Sequence, residues 1–361
     1  MGMSHHSWPL TIRIIVFSCL IGVGAGVLGT ALTTNYLSDY ALQLSEVTQP
    51  IRLTQERPRA LPKNYEDALV LLDDRALPTV GSLFSQASLG ETGVSRSSSH
   101  IPVVMLTSDG WAIASKGAIG DLVHWQMHQC EIDQVVHEPR FGFEFIHCAT
   151  SNAPVVNIAD GYDIQLGDQL FVVSSSDDVL YTRVRTVVWG EAVASSDFPT
   201  RRILLTDAVP ADVGSAVFNL YSELVGITIE TDNGVVVLPF EHVSGAFKQV
   251  LESSTVITYP SLGVHGIDLA RTVGVDKTIS GSVHTGVMLY GARAIERGSS
   301  AQLAGLNVGD LILSVDGVVL NEAVSLDDLL AGYSAGDTAS IGIERDGVQQ
   351  ELSVTLGELK L

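Results

Sequence analysis

GSSAQLAGLNVGDLILSVDGVVL, residues 298–320, is the stretch on which the fold of this chain turns. With GVMLYGARAIER just before it, it supplies two strands, a short helix and a turn. SLGVHGIDLA, beginning at Ser261, is a strand entry, and SLDDLLAGY, 325–333, is a second helix. TASIGIERDGVQQELSVTL, 338–356, is a hairpin turned by Arg345-Asp346-Gly347. Together these make a mixed unit over 255–361, able to stand alone.

Upstream the pattern changes. From Ile101 to Pro239 the chain is a series of short β-type runs divided by turn residues: IPVVML, WAIAS, QVVH, FGFEFIH, QLFVVSS, RTVVW, RRILLT, ELVGITI and GVVVLPF. Many short strands at close spacing imply a barrel or sandwich, not a βαβ sheet. HVSGAFKQVLESS, 242–254, reads as the helix that closes this domain, and NYEDALVLLDDRA, 64–76, as an amphipathic helix that opens it. SQASLGETGVSRSSSH, 85–100, is a Ser- and Gly-rich loop. No internal repeat is visible.

Before residue 64 the character is different again. Residues 38–63 carry Pro50, Pro58 and Pro62 and read as a stalk. In 11–37 no charge appears after Arg13 until Asp39, roughly 25 positions and enough for one membrane-spanning helix. A cleaved signal peptide is the competing reading, with a shorter apolar core and a small-residue cleavage site. Arg13 favours residues 1–10 in the cytoplasm and everything after 37 outside it, which makes this a single-pass cell-membrane protein. Ser18, Gly22 and Gly26 share the small-xxx-small spacing that can pair such helices.

The 361 residues carry a formal net charge of −21, which argues against nucleic acid as a partner because phosphates are bound mainly by Lys and Arg. Hydrophobic content of 46% with 34 glycines fits a folded, strand-rich chain. Of three cysteines, Cys19 lies in the membrane segment. Cys130 and Cys148 flank a hairpin around Glu138-Pro139-Arg140 in an oxidising compartment, and both a disulfide and two thiols fit that placement.

The motif GSSAQLAGLNVGDLILSVDGVVL resembles the core signature of a PDZ domain of the HtrA/Deg type. That resemblance implies a groove between a strand and a helix, where a C-terminal peptide adds a strand to the sheet edge. The loop holding the peptide carboxylate would be Ser261-Leu262-Gly263-Val264, with Leu262, Gly263 and Val264 as its binding residues. Leu326, Leu329 and Leu330 of the second helix are candidate pocket walls, at least one of which must face the core instead. The β-rich unit, 64–254, is similar to the trypsin-like double-barrel domain that precedes such a PDZ domain. TSDGWAIAS, IQLGDQLFVVSS, VRTVVWGEAVASS, RRILLTDA and ELVGITIE carry the likeness. One anchor, one protease-like domain and one PDZ domain is the layout of anchored stress sensors in that family, which assemble as homotrimers.

Serine-protease chemistry needs a base for the serine proton and a carboxylate to orient that base. The family histidine sits in a Thr-Asn-x-His-Val setting; the matching stretch is Ala114-Ser115-Lys116-Gly117-Ala118, which puts Gly117 there. The family aspartate follows an Asp-Pro turn; here Glu138-Pro139-Arg140-Phe141-Gly142-Phe143 puts Gly142 there. TDAVPADVGSAVFN, 206–219, matches the nucleophile loop. Counted forward from Thr206 the nucleophile is Ser215, and counted back from Asn219 the position is Val213. Val213, Ala216 and Val217 replace the glycines that let backbone N–H groups form an oxyanion hole. No catalytic residue is therefore expected.

Substitute sites are weaker. His100, His124, His128, His137 and His147 cluster in sequence, and His124, His128 and Cys130 would share one face of a strand. No acidic partner has matching spacing, so no metal and no cofactor is expected. Ser115 and Lys116, as strand neighbours, would point to opposite faces. The resulting expectation is an inactive, anchored protein of envelope quality control or stress sensing that binds peptide C-termini. Its rivals are an active envelope endopeptidase with a non-standard site and a structural scaffold that binds no peptide.

Overall fold

Runs rich in Val, Ile and Leu, broken every few residues by Gly, Asp and Pro, pack best as strands, and here they pair into three large sheets. The computed structural model describes residues 62, 64–84, 101–115, 122–125, 128–175, 178–190, 193–208, 213–232, 234–252, 255–280 and 283–359. The expected membrane segment 11–37, the expected stalk apart from Pro62, residues 85–100 and Gly117 lie outside them. No helix among the described residues is long and apolar enough to cross a membrane.

The opening helix α1 (Tyr65–Leu71) is capped by Asn64, whose side chain accepts from the Asp67 N–H at 2.8 Å. It continues through a π turn and a 3₁₀ turn to Thr79, burying Ala68, Leu72 and Ala76. The first sheet is antiparallel throughout: β1 (Val80–Phe84), β2 (Ile101–Met105), β3 (Trp111–Ser115), β4 (Leu122–Trp125), β5 (His128–Glu131), β6 (Gln134–Glu138) and β7 (Phe143–His147), in the order β5-β4-β1-β2-β3-β7-β6. The second sheet uses β8 (Asn157–Ile158), β9 (Gln169–Ser175), β10 (Asp178–Val188), β12 (Arg202–Leu205), β13 (Ala216–Phe218), β14 (Glu223–Thr231) and β15 (Gly234–Pro239). It closes, because β13 pairs with both β9 and β14. Between β10 and β12 lies β11 (Val193–Ser195), which belongs to neither barrel.

Strand alternation explains the core. Val103 and Met105 fill the first barrel and Leu170 and Val172 the second, while Val104, Phe171 and Val173 point the other way into a shared core. That shared core also takes Phe143, Phe145, Phe218 and Phe240, together with Val243 and Phe247 from the closing helix, α2 (Glu241–Leu251). Cys130 and Cys148 are paired in a disulfide, Cα–Cα 5.8 Å, which settles the open alternative. The expectation that His124, His128 and Cys130 share one strand fails. They lie on the two strands of the β4–β5 hairpin, and Cys130 is engaged by Cys148.

The C-terminal unit contains β16 (Pro260–Ser261), β17 (His265–Asp268), α3 (Lys277–Ser280), β18 (Val287–Met288), α4 (Ser300–Leu303), β19 (Leu311–Val315) and β20 (Val318–Val319). It ends with α5 (Leu326–Leu330), β21 (Thr338–Arg345), β22 (Val348–Thr355) and β23 (Gly357–Glu358). The β21–β22 hairpin turns on Asp346 and Gly347, both at positive φ (53° and 78°), as a tight two-residue turn requires. Its sheet runs β17-β18-β19-β21-β22, but the free edge of β17 is covered by β11. The unit therefore does not stand wholly alone. Ile257 and Tyr259, just ahead of it, are buried in the core shared by the barrels.

Candidate functional site

Ser215 sits immediately before β13 and is fully buried. Its N–H donates to Thr228 Oγ1 at 2.9 Å, and its Oγ donates to Ser174 Oγ at 3.0 Å. That partner is another neutral hydroxyl, with no capacity to act as a base at neutral pH. Preceding it, Gly214 adopts φ 86°, and a Cβ there would lie 2.8 Å from Ser115 Oγ. Ser115 thus packs at this turn, while its neighbour Lys116 lies outside the described residues.

Gly142, expected at the aspartate position, closes the β6–β7 turn with φ 77° and donates its N–H to Glu138 Oε2 at 3.1 Å. Glu138 is the organising group of this turn. It is buried, accepts the N–H groups of Arg140 (3.1 Å) and Phe141 (2.8 Å), and takes the hydroxyl of Tyr259. Burial holds its carboxyl above the usual carboxylate range, against the opposing pull of those donors. The Arg140 guanidinium lies over the Tyr259 ring at 3.7 Å and the Phe198 ring at 5.7 Å, and burial pulls it down to about 10. Through Tyr259 this turn anchors the chain entering the C-terminal unit.

Leu262, Gly263 and Val264 form one loop, and it holds a carboxylate. Leu262 N–H (2.9 Å) and Gly263 N–H (3.1 Å) both donate to Asp197 Oδ1, and Ser261 Oγ donates to Asp197 Oδ2 at 2.6 Å. Gly263 is needed for this conformation, since its φ is 75° and a Cβ would meet Ser299 Cβ at 2.4 Å. From this loop β17 continues, and β11 lies antiparallel along it with Val193 opposite Ile267, Ala194 opposite Gly266 and Ser195 opposite His265. Leu326 and Leu330 are buried in the same core as Leu262 and Val264, with Leu329 partly buried against it.

The other side of α5 meets the barrels. Asp327 accepts from Thr200 N–H (2.9 Å) and Thr200 Oγ1 (3.1 Å). Asp328, fully enclosed, receives His242 Nε2 at 2.7 Å and lies 3.2 Å from Arg201 Nε. Arg202 Nη1 lies 3.4 Å from His242 Nδ1, an arrangement that assigns the imidazole proton to Nε2 and leaves Nδ1 an acceptor. Burial first, and the neighbouring arginines with it, depress the His242 pKa, whereas for Asp328 burial pushes upward but is outweighed by hydrogen bonding to His242 and the charge of Arg201, which leave it below the usual carboxylate range. Among the described residues no group of three or more His, Cys, Asp or Glu is placed to hold a metal.

Sequence reading missed Asp197, Glu138 and the His242–Asp328 pair. Glu138 had a signal, as the first residue of a tight turn. Asp197 had none, because Ser-Ser-Asp before Phe-Pro reads as an ordinary loop.

A PDZ-domain family model matches residues 260–356. "Probable periplasmic serine endoprotease DegP-like" of Pseudomonas putida strain GB-1 is 24% identical over 276 residues, covering 71% of this chain and 55% of that protein. Its namesake in Hahella chejuensis is 25% identical over 222 residues, covering 57% of this chain and 45% of that one. The chain thus spans about half the length of the curated relatives it matches. Among solved structures, "HtrA-type protease AlgW with tripeptide" superposes with a TM-score of 0.54 at 18% identity, over 81% of this chain and 98% of that one. In sequence the chain is thus similar to DegP-like serine endoproteases and in fold to an HtrA-type protease, with a protease-type pair of barrels followed by one PDZ domain.

Proposed function

We propose that this chain is a membrane-anchored, catalytically inactive HtrA relative that binds the carboxyl termini of proteins outside the cytoplasm through its PDZ domain. The observation that carries the reading is the loop 261–264, whose two backbone N–H groups and one hydroxyl converge on a single carboxylate. Inactivity is supported by Ser215, which is buried and bonded to Ser174. A compartment outside the cytoplasm is supported by the Cys130–Cys148 disulfide and by relatives named as periplasmic. A homotrimer and a role in envelope quality control or stress sensing belong to the same reading by family analogy alone.

The rival reading, an active endopeptidase, is favoured by the names of the relatives. One pair of assays separates the three readings. Peptides with an apolar last residue should bind with a free carboxyl terminus and lose at least ten-fold in affinity when amidated, while unfolded casein stays intact. Casein turnover would support the endopeptidase, and equal binding of both peptides would sink the carboxylate-loop assignment.

A further inference from the structure

The segment that leaves the second barrel between β10 and β12 makes the contacts a bound peptide would make. Its strand β11 adds to the open edge of β17 in antiparallel register. Ser196 then donates its N–H to the Val264 carbonyl at 3.0 Å, and Val264 returns its N–H to Ser196 Oγ at 3.1 Å. One residue later the Asp197 carboxylate enters the loop and takes the Leu262 and Gly263 N–H groups and the Ser261 hydroxyl. Ser196 Oγ also donates to Asp197 Oδ1 at 2.6 Å. Strand addition that ends in an anion held by backbone donors is how a peptide C-terminus is captured, and every element of it is supplied here in cis.

We propose that residues 193–197 are an internal ligand of the PDZ domain, with the Asp197 side chain standing in for a terminal carboxylate, so that an external C-terminus binds only by displacing them. The proposal rests on the peptide-binding reading above. A tethered competitor acts at a high effective concentration, and an incoming ligand's apparent affinity falls by the fraction of grooves left open. Displacement remains within reach because the internal ligand is incomplete. Ser195 and Ser196 bring no apolar side chain, and Ser196 Oγ is tied back to Asp197 and Val264, whereas a peptide ending in an apolar residue gains burial on entry. The favoured ligand is thus a free carboxyl terminus with an apolar last residue. Release would also be felt in the first barrel, since Phe198 follows directly and lies under Arg140 of the β6–β7 turn.

The test uses the full chain in detergent, a fluorescein-labelled decapeptide ending in Ala-Ala-Leu with a free carboxylate, and its amidated twin. Anisotropy gives the affinity, and hydrogen exchange reports on 193–197 and 261–266. Asp197→Ala should bind the free peptide at least ten-fold more tightly than wild type and leave the amidated peptide weak. Saturating the wild type should raise exchange at 193–197 while 261–266 stays protected. Asp197→Asn keeps the side-chain shape and serves if the alanine variant does not fold, with a smaller gain of at least three-fold. Equal affinities in wild type and variant, with 193–197 still protected in the saturated complex, would overturn the proposal. If neither protein binds the peptide, exchange without ligand decides: faster exchange at 261–264 in Asp197→Ala upholds the internal ligand and rejects the peptide-binding reading, and unchanged exchange rejects the internal ligand.

Discussion

The Oγ of Ser215 donates to Ser174 in a fully buried position. Ser215→Ala should lower stability by about 1 kcal/mol, the usual net worth of one hydrogen bond. The urea midpoint measures that change, and casein turnover should stay at buffer level in both proteins. Turnover that disappears in the variant would restore Ser215 as a nucleophile. His242 carries a different kind of prediction. The fold holds its imidazole neutral, buried between Asp328 and Arg202, so its folded pKa lies below the unfolded value. Its contribution is therefore complete above the ordinary histidine pKa, about 6.5, and is lost as pH falls through the depressed folded value. Wild type should lose more Tm between pH 7.5 and pH 5.5 than His242→Gln does. Parallel curves would mean the imidazole does not hold the interface.

At the scale of elements, the loop 261–264 depends on its backbone more than on its side chains. Gly263 combines a positive φ with contact to Ser299, so Gly263→Ala should cost about 1–3 kcal/mol of stability through strain. Peptide amidation is consequently the cleaner probe of the carboxylate site, because it leaves the loop intact. A Gly263→Ala protein as stable as wild type by thermal melt would show that the loop can relax. Most elements were legible. The hairpin at Asp346-Gly347 and the alternating strands of both barrels follow from local rules acting over a few residues. Strand β11 was not. Val-Ala-Ser carries no period and no turn signal, and it becomes a strand only because β17 offers an unpaired edge.

For the whole molecule, the Cys130–Cys148 bridge ties β5 to the end of β7 across 18 residues of sequence. In the chain-entropy account a loop of that size is worth about 3 kcal/mol. The double variant Cys130→Ser with Cys148→Ser should therefore melt well below wild type, and an unchanged Tm would place the bridge's role elsewhere. Membrane attachment belongs to this scale as well. Carbonate washing should leave the full chain in the membrane fraction, and release of a product shortened to near residue 33 would mark 11–37 as a cleaved leader.

The sequence by itself determined the two-part architecture. GSSAQLAGLNVGDLILSVDGVVL and the β-runs upstream specify their units through turn chemistry and period, which are properties of neighbouring residues. The same local reading led to the expectation of glycine, Gly117 and Gly142, where base and acid would stand. Only the tertiary structure decided what those parts do to one another. Asp197 meets Leu262 across 65 residues of sequence, and His242 meets Asp328 across 86. Such pairings rest on where two backbones and one carboxylate come to lie in space. A short polar side chain is neutral in every local pattern, so its partner is fixed only when the barrels and the PDZ domain pack together.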